Sequence, residues 1–449
     1  MSTDTEGTRS PLVHVEHAVQ DRAKEVALDL DHPDGEARLR QLIDEEIGLW
    51  QADHKRGLQP IEIADPDTVA ERAFRNIAGY GPLTPLLQDD DVWEIMVNAP
   101  DQIFVKRHHG TSGYHEEVFH DDEHVVRTLT KILDESTAAH RKLDPTEGLQ
   151  DAQLDDGARL HIVHGDLSRG GHLMVNIRKF TGVAFTSLDQ LVDRGMLTDD
   201  AARFLTAAVH ARSTIVFAGA PGSGKTTMLS CCAAELDPAL RVVVAEEVFE
   251  ADVPVANLAS MQTRTSRLDR PAIDLRRLVA GFLRMAPDIA IVGEVRDREA
   301  LPLLLTLSSG VKGFTTIHAG SARQALTRLR FICQLAETSS EIPLSALNTL
   351  VSEAIDIVVH LERGPVGPQV TGIIAVEDLA GASDSTQFTV TELFARDGID
   401  GPLRWTGNIP VRATAAFGRL GIDLRSVLAA DLDRVNAAAS HASIAGTAA

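Results

Sequence analysis

Cysteine is scarce in this sequence, with three residues among 449. Cys231 and Cys232 are adjacent and Cys333 stands alone, so the sequence contains no C-x-x-C pair. A zinc site built from paired cysteines is therefore excluded. A low cysteine count is also typical of proteins that work in a reducing compartment.

Long apolar runs are absent as well. No stretch approaches the roughly 18 apolar residues that a membrane-spanning helix needs. Residues 1–10 are polar and lack the apolar core of a signal peptide. We therefore expect a cytoplasmic protein.

Positive charge is in deficit, because 43 Lys and Arg stand against 65 Asp and Glu, which gives a net charge of −22. A protein whose main task is to grip nucleic acid would present a basic surface. The acidic balance thus argues against DNA as a partner, although it is compatible with a small basic patch. The length of 449 residues exceeds what one core can hold, so we expect two or three domains.

The pattern of apolar and turn residues divides the chain into five segments. We predict an N-terminal tail and helical segment at 1–78, a smaller α/β domain at 79–180, a linker at 181–197, a larger α/β domain at 198–429 and a flexible tail at 430–449. From Ser213 onward strands and helices alternate, which predicts a mostly parallel sheet covered on both faces.

Several local features are predicted within these segments. Leu39, Leu42, Ile43, Ile47 and Trp50 form the inward stripe of a helix. The remaining features are a short strand at Val118-Phe119, a hairpin turn at Asp155-Asp156-Gly157, and helix caps at Ser187 and Thr198.

The segment 219–226, Gly-Ala-Pro-Gly-Ser-Gly-Lys-Thr, matches the phosphate-binding P-loop pattern G-x-x-x-x-G-K-[ST]. An apolar strand at 213–218 precedes it and a helix at 226–236 follows it, so the flanks favour a P-loop over an ordinary glycine-rich turn. The glycines let successive N–H groups point inward at phosphate oxygens. Lys225 then reaches the β- and γ-phosphates, and the Thr226 hydroxyl is placed to ligate Mg²⁺. The predicted nucleotide-binding residues are Gly219, Ala220, Pro221, Gly222, Ser223, Gly224, Lys225, Thr226 and Thr227.

Three further apolar strands end in polar residues. The strand at 289–294 ends in Glu294, which is predicted to hold the Mg²⁺ shell or orient the attacking water. The strand at 241–247 ends in Glu246 and Glu247, either or both of which can face the γ-phosphate and accept a proton from water. His318 follows the third strand and is predicted to sense or bond the γ-phosphate, because ligands in such sheets bind at the carboxyl ends of strands. Solvated surface residues are the alternative interpretation of each.

Histidine pairs give a weaker signal. His161 and His164, and the neighbours His108 and His109, suggest metal binding, but no cysteine or carboxylate spacing completes a site. We interpret them as surface residues.

In their order, these motifs resemble the Walker A, acidic, Walker B and His boxes of the secretion ATPase superfamily, which powers type II secretion, type IV secretion and pilus assembly. The boxes lie at 219–226, 245–250, 283–297 and 315–319. One position departs from the family pattern, since Glu247 stands where Asp is frequent. Gly293 stands where nucleotide hydrolases in general usually have an Asp before the Glu, and it matches the Gly-Glu of the family's Walker B box. Upstream, the segments 79–87, 95–100 and 176–180 resemble the tight-adherence pilus branch.

The resemblance implies an α/β fold with a RecA-like P-loop motor at 198–429, behind an N-terminal helical segment and a smaller α/β domain. It also implies a ring-shaped homo-hexamer that binds ATP and Mg²⁺ between the two domains. An inner-membrane platform protein is the implied partner and would hold the chain at the inner face of the membrane. Arginines from the N-terminal domain or a neighbouring subunit would approach the phosphates, and the candidates are Arg159, Arg178, Arg264 and Arg296. Surface ion pairs are the alternative interpretation of these arginines.

The main interpretation is an ATP-driven motor for pilus assembly or protein secretion across the inner membrane. A conjugation or DNA-transfer ATPase of the same superfamily is the alternative, which the acidic balance weakens. A small-molecule kinase would need an acceptor pocket. A regulator that binds nucleotide without hydrolysing it is disfavoured by the intact Lys225, Thr226 and Glu294.

Overall fold

The computed structural model describes residues 10–30, 32–107, 110–136, 142–179, 185–264, 271–336, 342–364, 367–379, 387–396, 398 and 401–428. The chain divides into two compact units, Met1–Thr181 and Gly182–Ala449. Among the described residues, no helix combines the length and the apolar character that crossing a bilayer requires.

The first unit begins with three helices, α1 (Pro11–Glu25), α2 (Gly35–Lys55) and α3 (Pro66–Ala78). They pack around a shared apolar core. The stripe predicted on the second helix is confirmed, since all five of its residues are buried. The side chain of Asp65 caps α3 by accepting a hydrogen bond from the backbone N–H of Thr68.

The rest of the first unit is a six-stranded antiparallel sheet covered by a helix. The elements are α4 (Leu83–Gln88), β1 (Val92–Ala99), β2 (Gln102–Arg107), β3 (Gly113–Tyr114), α5 (Asp122–Glu135), β4 (Leu149–Gln153), β5 (Arg159–Val163) and β6 (Met174–Arg178). The strands lie in the order β3-β2-β1-β6-β5-β4, and α5 packs its apolar side into the core of the sheet.

One strand prediction in this unit is wrong and one turn prediction is confirmed. Val118 and Phe119 lie in the connection before α5 and belong to no strand. Phe119 is buried in the core, and its N–H bonds to the Pro100 carbonyl at 2.9 Å. The apolar character of this pair therefore reflects burial in the core and not strand pairing. The turn at 155–157 does join β4 and β5 into an antiparallel hairpin, with Gly157 at φ 86°.

The second unit is built on a nine-stranded sheet. Its strands are β7 (Ile215–Gly219), β8 (Val242–Glu246), β9 (Leu258–Gln262), β10 (Ile289–Val295), β11 (Lys312–Ile317), β12 (Ile357–Gly364), β13 (Gly367–Val376), β14 (Val390–Arg396) and β15 (Leu403–Trp405). They lie in the order β15-β14-β13-β12-β7-β11-β10-β8-β9. The six strands β12-β7-β11-β10-β8-β9 are parallel to one another, and β13, β14 and β15 extend the sheet beyond β12 in antiparallel pairs.

Helices cover both faces of this sheet, and each face has its own apolar core. One face carries α6 (Leu188–Asp193), α7 (Asp199–His210), α8 (Lys225–Ala233) and α13 (Val411–Gly418). The other carries α9 (Leu275–Ala280), α10 (Ala300–Ser308), α11 (Ala322–Ala336) and α12 (Leu344–Ala354). The predicted α/β fold, a P-loop motor core with a mostly parallel sheet covered on both sides, is confirmed; the antiparallel hairpins were not predicted.

The two predicted caps of this unit differ in mechanism. The hydroxyl of Ser187 accepts a hydrogen bond from the Gln190 N–H at 3.3 Å and caps α6 as predicted. Thr198 is the N-cap residue of α7, but its side chain makes no capping hydrogen bond.

Asp356 joins distant segments at the edge of the sheet where the parallel strands begin. One carboxylate oxygen accepts from the backbone N–H of Thr214 and from Lys312 Nζ, both at 2.8 Å. The other oxygen accepts from Arg412 Nη2 at 3.0 Å. Removal of any one of these donors should destabilise the fold, because the carboxylate charge would stay partly buried with fewer hydrogen bonds.

Candidate functional site

The P-loop connects the fully buried strand β7 to α8. Gly224 caps the helix at φ 87°, a left-handed conformation that favours glycine, and a Cβ there would lie 2.8 Å from Met196 Cε. A Cβ on Gly219 would lie 2.2 Å from the Leu361 carbonyl oxygen. The loop therefore keeps its shape only with glycine at both positions, which is the cradle that phosphate binding requires.

Lys225 is buried, with 7% of its surface exposed, and its side chain turns back over the loop. Its Nζ donates to the Ala220 carbonyl at 2.9 Å and lies 3.3 Å from His318 Nδ1. The same nitrogen of His318 lies 3.2 Å from the Gly219 carbonyl oxygen. The structure thus places the predicted phosphate-binding lysine beside the predicted phosphate-sensing histidine.

Glu294 lies near the end of β10 between a histidine and an arginine. Its Oε1 is 2.7 Å from His318 Nε2, and its Oε2 accepts from Arg296 Nη2 at 2.7 Å. Burial alone would raise the pKa of Glu294, but the contacts with His318 and Arg296 outweigh it and lower the pKa to about 2. The side chain is therefore a carboxylate at neutral pH, as metal binding or orientation of a water molecule requires.

The two acids at the end of β8 have different surroundings. Glu246 is buried, and its Oε1 accepts from the backbone N–H groups of Glu250 and Ala251 at 3.1 and 3.0 Å. Glu247 is exposed, and its Oε2 accepts from Arg296 Nη1 at 2.8 Å. Glu246 therefore supports the loop after β8. Glu247 is linked to Glu294 through Arg296, which donates a hydrogen bond to each of the two carboxylates.

The other predicted arginines belong to other elements of the chain. Arg264 forms an isolated β-bridge with Ile273, and its Nη2 donates to the Pro271 carbonyl at 3.2 Å. Arg159 and Arg178 lie on β5 and β6 of the first unit as directly paired residues, so their side chains share one face of that sheet. Arg178 is exposed and Arg159 is half-buried.

The histidine pairs do not form a clear site. His161 is exposed, as predicted, and its Nδ1 lies 2.7 Å from Asp151 Oδ1. The surface position predicted for His164 is wrong, because this residue is buried. Over the described part of the chain, no group of three or more His, Cys, Asp or Glu side chains is arranged to hold a metal ion. His108 and His109 lie outside the described residues.

The sequence motifs assign no role to two residues of this region. Arg363 Nη1 lies 3.4 Å from the Gly222 carbonyl oxygen of the P-loop. The Thr316 hydroxyl donates to the Gly293 carbonyl at 2.7 Å and so ties β11 to the strand that carries Glu294. Arg363 lies two residues after Leu361, which pairs with Gly219 in parallel register. Its position near the P-loop can therefore be recognised only once β12 is known to adjoin β7.

A cavity of about 510 Å³ opens beside the P-loop. Ala220 and Pro221 of the loop and His318 to Gly320 after β11 form one side, and α11 forms the other. Its volume lies within the range of about 300–1,000 Å³ that is usual for small-molecule sites.

Comparison with known proteins gives consistent matches. A family model described as "Type II/IV secretion system protein" matches residues 76–363. The chain is similar to the type IV secretion system protein PtlH of Bordetella pertussis, with 30% identity over 366 residues, 76% of this chain and 99% of that protein. It is also similar to the conjugal transfer protein TrbB of Rhizobium radiobacter, with 30% identity over 307 residues, 65% of this chain and 85% of that protein. Among solved structures, it aligns with the Legionella pneumophila ATPase DotB at 15% identity and a TM-score of 0.45, covering 84% of this chain and 90% of that one.

Proposed function

The chain belongs to the type II/IV secretion system protein family, and on that premise we propose that it is a motor that hydrolyses ATP to drive pilus assembly or protein secretion across the inner membrane. The observation that carries the proposal is the charged Glu294 held between His318 and Arg296, because His318 also contacts the P-loop lysine Lys225. A protein that only binds nucleotide needs the loop but not a positioned carboxylate at the γ-phosphate end. The chain is an ATPase.

Nucleotide binding rests on the P-loop cradle. The backbone N–H groups of the loop and the N-terminus of α8 face the phosphates, and Lys225 pairs with the β- and γ-phosphate charge. Residues 219–227 form this site. The loop fits a phosphate chain because Gly219 and Gly224 leave the backbone free of the contacts that a Cβ would make.

The donor set also fits Mg²⁺. The Thr226 hydroxyl and the Glu294 carboxylate are the oxygen ligands that we assign to it, directly or through water. When bound, the ion neutralises charge on the phosphate oxygens. Mg²⁺ usually keeps several waters and substrate oxygens and does not need a full protein cage. The lack of a cluster of three metal-binding side chains among the described residues is compatible with this mode of binding.

The neighbouring side chains complete the chemistry. Glu294 orients the attacking water. His318 contacts both Glu294 and Lys225 and senses the γ-phosphate from this position. Glu247 is the acid of the β8 end that remains available to a water molecule, because Glu246 is occupied by backbone N–H groups. Arg296 and Arg264 are assigned to stabilise charge that develops on the transferred phosphoryl group.

The working form is proposed to be a cytoplasmic homo-hexamer in which the motor spans 198–429. Arg159 and Arg178 from the smaller domain complete the site, within one subunit or between neighbours. An inner-membrane platform protein of a pilus or secretion system is the partner, and it holds the hexamer at the inner face of the membrane. Support comes from the motif resemblance, which is strongest to the tight-adherence pilus branch.

A conjugation motor is the second candidate, because a conjugal transfer protein is 30% identical over 307 residues. The net charge of −22 weakens it, since a protein that handles DNA directly presents basic surface. Stimulation of turnover by DNA would separate the two candidates.

The test is phosphate release by the purified full chain with ATP and Mg²⁺, compared with Lys225→Ala. We expect turnover in the wild type and none in the variant, which loses the partner of the phosphate charge. Equal turnover of both proteins would overturn the site assignment. Added single-stranded or double-stranded DNA should leave the rate unchanged, and a several-fold stimulation would move the assignment to the conjugation motor.

A further inference from the structure

His360 is a buried histidine that belongs to none of the sequence motifs. It lies on β12 with 5% of its surface exposed, and it pairs with Ala218 of the P-loop strand in parallel register. Its Nδ1 lies 2.7 Å from Thr371 Oγ1, and its Nε2 lies 3.3 Å from the Ala319 carbonyl oxygen. Both ring nitrogens are therefore engaged by protein groups.

These two partners fix the tautomer of His360. A neutral imidazole has one N–H donor and one acceptor nitrogen. The Ala319 carbonyl can only accept, so Nε2 carries the proton, and Nδ1 accepts from the Thr371 hydroxyl. Burial lowers the pKa of His360, and this effect outweighs those of Glu362 and the Ala319 carbonyl, which raise it. The lowered pKa keeps the ring neutral near pH 7.

Thr371 reaches the ring because the β12–β13 ladder is irregular at this point. His360 lies opposite Gly372, whereas the next residue, Leu361, lies opposite Val370. Thr371 is the extra residue of a β-bulge. A bulge re-aims a side chain out of the regular alternation of a strand, and bulges are frequent beside active sites.

The other end of the contact lies one residue from the site. Ala319 follows His318, which touches Lys225 and Glu294. Since β7 lies between β11 and β12, the bond from His360 to Ala319 spans the P-loop strand. The backbone that carries His318 is therefore anchored from the far side of the P-loop.

We propose that His360, supported by Thr371, is a positioning residue for ATP hydrolysis that holds the turn after β11, so that His318 stays in contact with Glu294 and Lys225. This inference rests on the proposed ATPase function. The bulge on β13 then has a purpose in the site, since it supplies the hydroxyl that fixes the ring. His360 itself touches no reacting atom.

Thr371→Val tests the tether, because it removes the hydroxyl at nearly constant volume; Thr371→Ser, which keeps the hydroxyl, is the matched control. In the full chain we expect Thr371→Val to lower kcat about tenfold, the usual effect of losing a residue that orients a site group. The dissociation constant for ATP should change by less than about twofold, because no group that contacts nucleotide is lost. Thr371→Ser should behave like the wild type.

A double-mutant cycle with His318→Ala separates positioning from packing. If the tether acts through His318, Thr371→Val should have no further effect on kcat in the His318→Ala background. An equal fractional loss in both backgrounds would show that Thr371 and His360 act through general packing, and the proposal would be wrong.

Hydrogen–deuterium exchange gives a readout that does not need turnover. Thr371→Val should raise exchange in the segment 318–321 and leave β8 unchanged, because only the anchored turn loses its restraint. Unchanged exchange at 318–321 would overturn the tether even if the chain hydrolysed ATP normally. Raised exchange in a chain without ATPase activity would support the tether while the proposed function failed.

Discussion

Gly293 lies against the side chain of Glu246. A Cβ added to Gly293 would come within 2.8 Å of Glu246 Cγ and 3.0 Å of its Oε1. That same oxygen accepts the N–H groups of Glu250 and Ala251. Gly293, which stands where nucleotide hydrolases in general usually have an Asp, therefore makes room for a carboxylate from the neighbouring strand, and that carboxylate organises the loop after β8.

Gly293→Ala should push Glu246 away from the loop. We expect the free energy of unfolding to fall by about 1–3 kcal/mol, the usual result of adding a methyl group to a filled interior, and turnover to fall with it. Urea unfolding and phosphate release measure the two effects. Gly418→Ala is the matched control, since a Cβ there meets nothing within 4 Å, and it should be neutral or slightly stabilising. Similar behaviour of the two variants would contradict the role of Gly293.

Glu294→Gln should separate binding from chemistry. The amide keeps the shape but loses the charge that the low pKa maintains, so we expect turnover to fall by about 10²-fold or more. ATP affinity should stay within a few-fold, because Lys225 and the loop amides are intact. Titration with a fluorescent ATP analogue and phosphate release on the same preparation measure both. Loss of ATP binding with normal turnover per bound ATP would make Glu294 a structural residue.

The two acids after β8 should respond differently to the same change. Glu246→Gln weakens two bonds from backbone N–H groups to a buried carboxylate, and we expect a loss of about 1–3 kcal/mol in unfolding free energy. Glu247→Gln breaks an exposed ion pair with Arg296, which should change stability by less than about 1 kcal/mol, while turnover falls. Thermal unfolding and turnover of both variants decide the matter, and the reverse pattern would assign the water-facing role to Glu246.

Active sites that are completed by two subunits should be detectable in rings mixed from two variants. Arg159→Ala or Arg178→Ala should slow hydrolysis by about 10²-fold with little loss of ATP binding, as expected for groups that act on transition-state charge. Mixing either variant with Lys225→Ala should restore partial activity, because some sites then combine an intact P-loop with an intact arginine. No recovery in demonstrably mixed rings, with wild-type activity independent of protein concentration, would show that each subunit completes its own site.

His124 should make the protein less stable in mild acid. It is buried in the first unit, and burial, with smaller contributions from His120 and Arg127, lowers its pKa to about 3. Between the ordinary histidine pKa of about 6.5 and this value, the unfolded chain binds a proton that the folded chain does not, so stability falls as pH falls. From pH 7 to pH 5 the loss is about 2 kcal/mol.

His124→Gln should remove this contribution and flatten the dependence of unfolding free energy on pH between 5 and 7. The control is Val126→Gln, which puts the same side chain at an exposed position of the same helix and should leave the slope close to that of the wild type, because no titratable group is removed. Urea unfolding at several pH values measures both. Equal slopes for wild type and His124→Gln would contradict the assignment.

Much of the site follows from local sequence, because its residues sit directly at the ends of buried strands. The P-loop, Glu294 and His318 each adjoin an apolar run, and the carboxyl ends of parallel strands meet at one edge. Arg363 and His360 also lie on a buried strand, but they reach the site only because β12 adjoins β7, and strand order is not written in local periodicity. Phe119 shows the same limit in the first unit, where burial without pairing resembled a strand.

The different contacts of Glu246 and Glu247 could likewise not be predicted from the sequence. Glu246 and Glu247 are adjacent and chemically alike, and only their opposite directions along the strand separate a loop support from a partner of Arg296. The meaning of Gly293 depends on a side chain 47 residues earlier in the chain, a distance that no motif spans.

The carboxylate of Asp356 sets an order of events during synthesis. It gathers the backbone of Thr214, the side chain of Lys312 and the side chain of Arg412, so its last partner leaves the ribosome almost 200 residues after its first. Contacts so distant along the chain form slowly, because the intervening chain must be closed into a loop before they give any stability. The first unit makes its own contacts before residue 182. We therefore expect it to fold while α13, which carries Arg412, has not yet been synthesised.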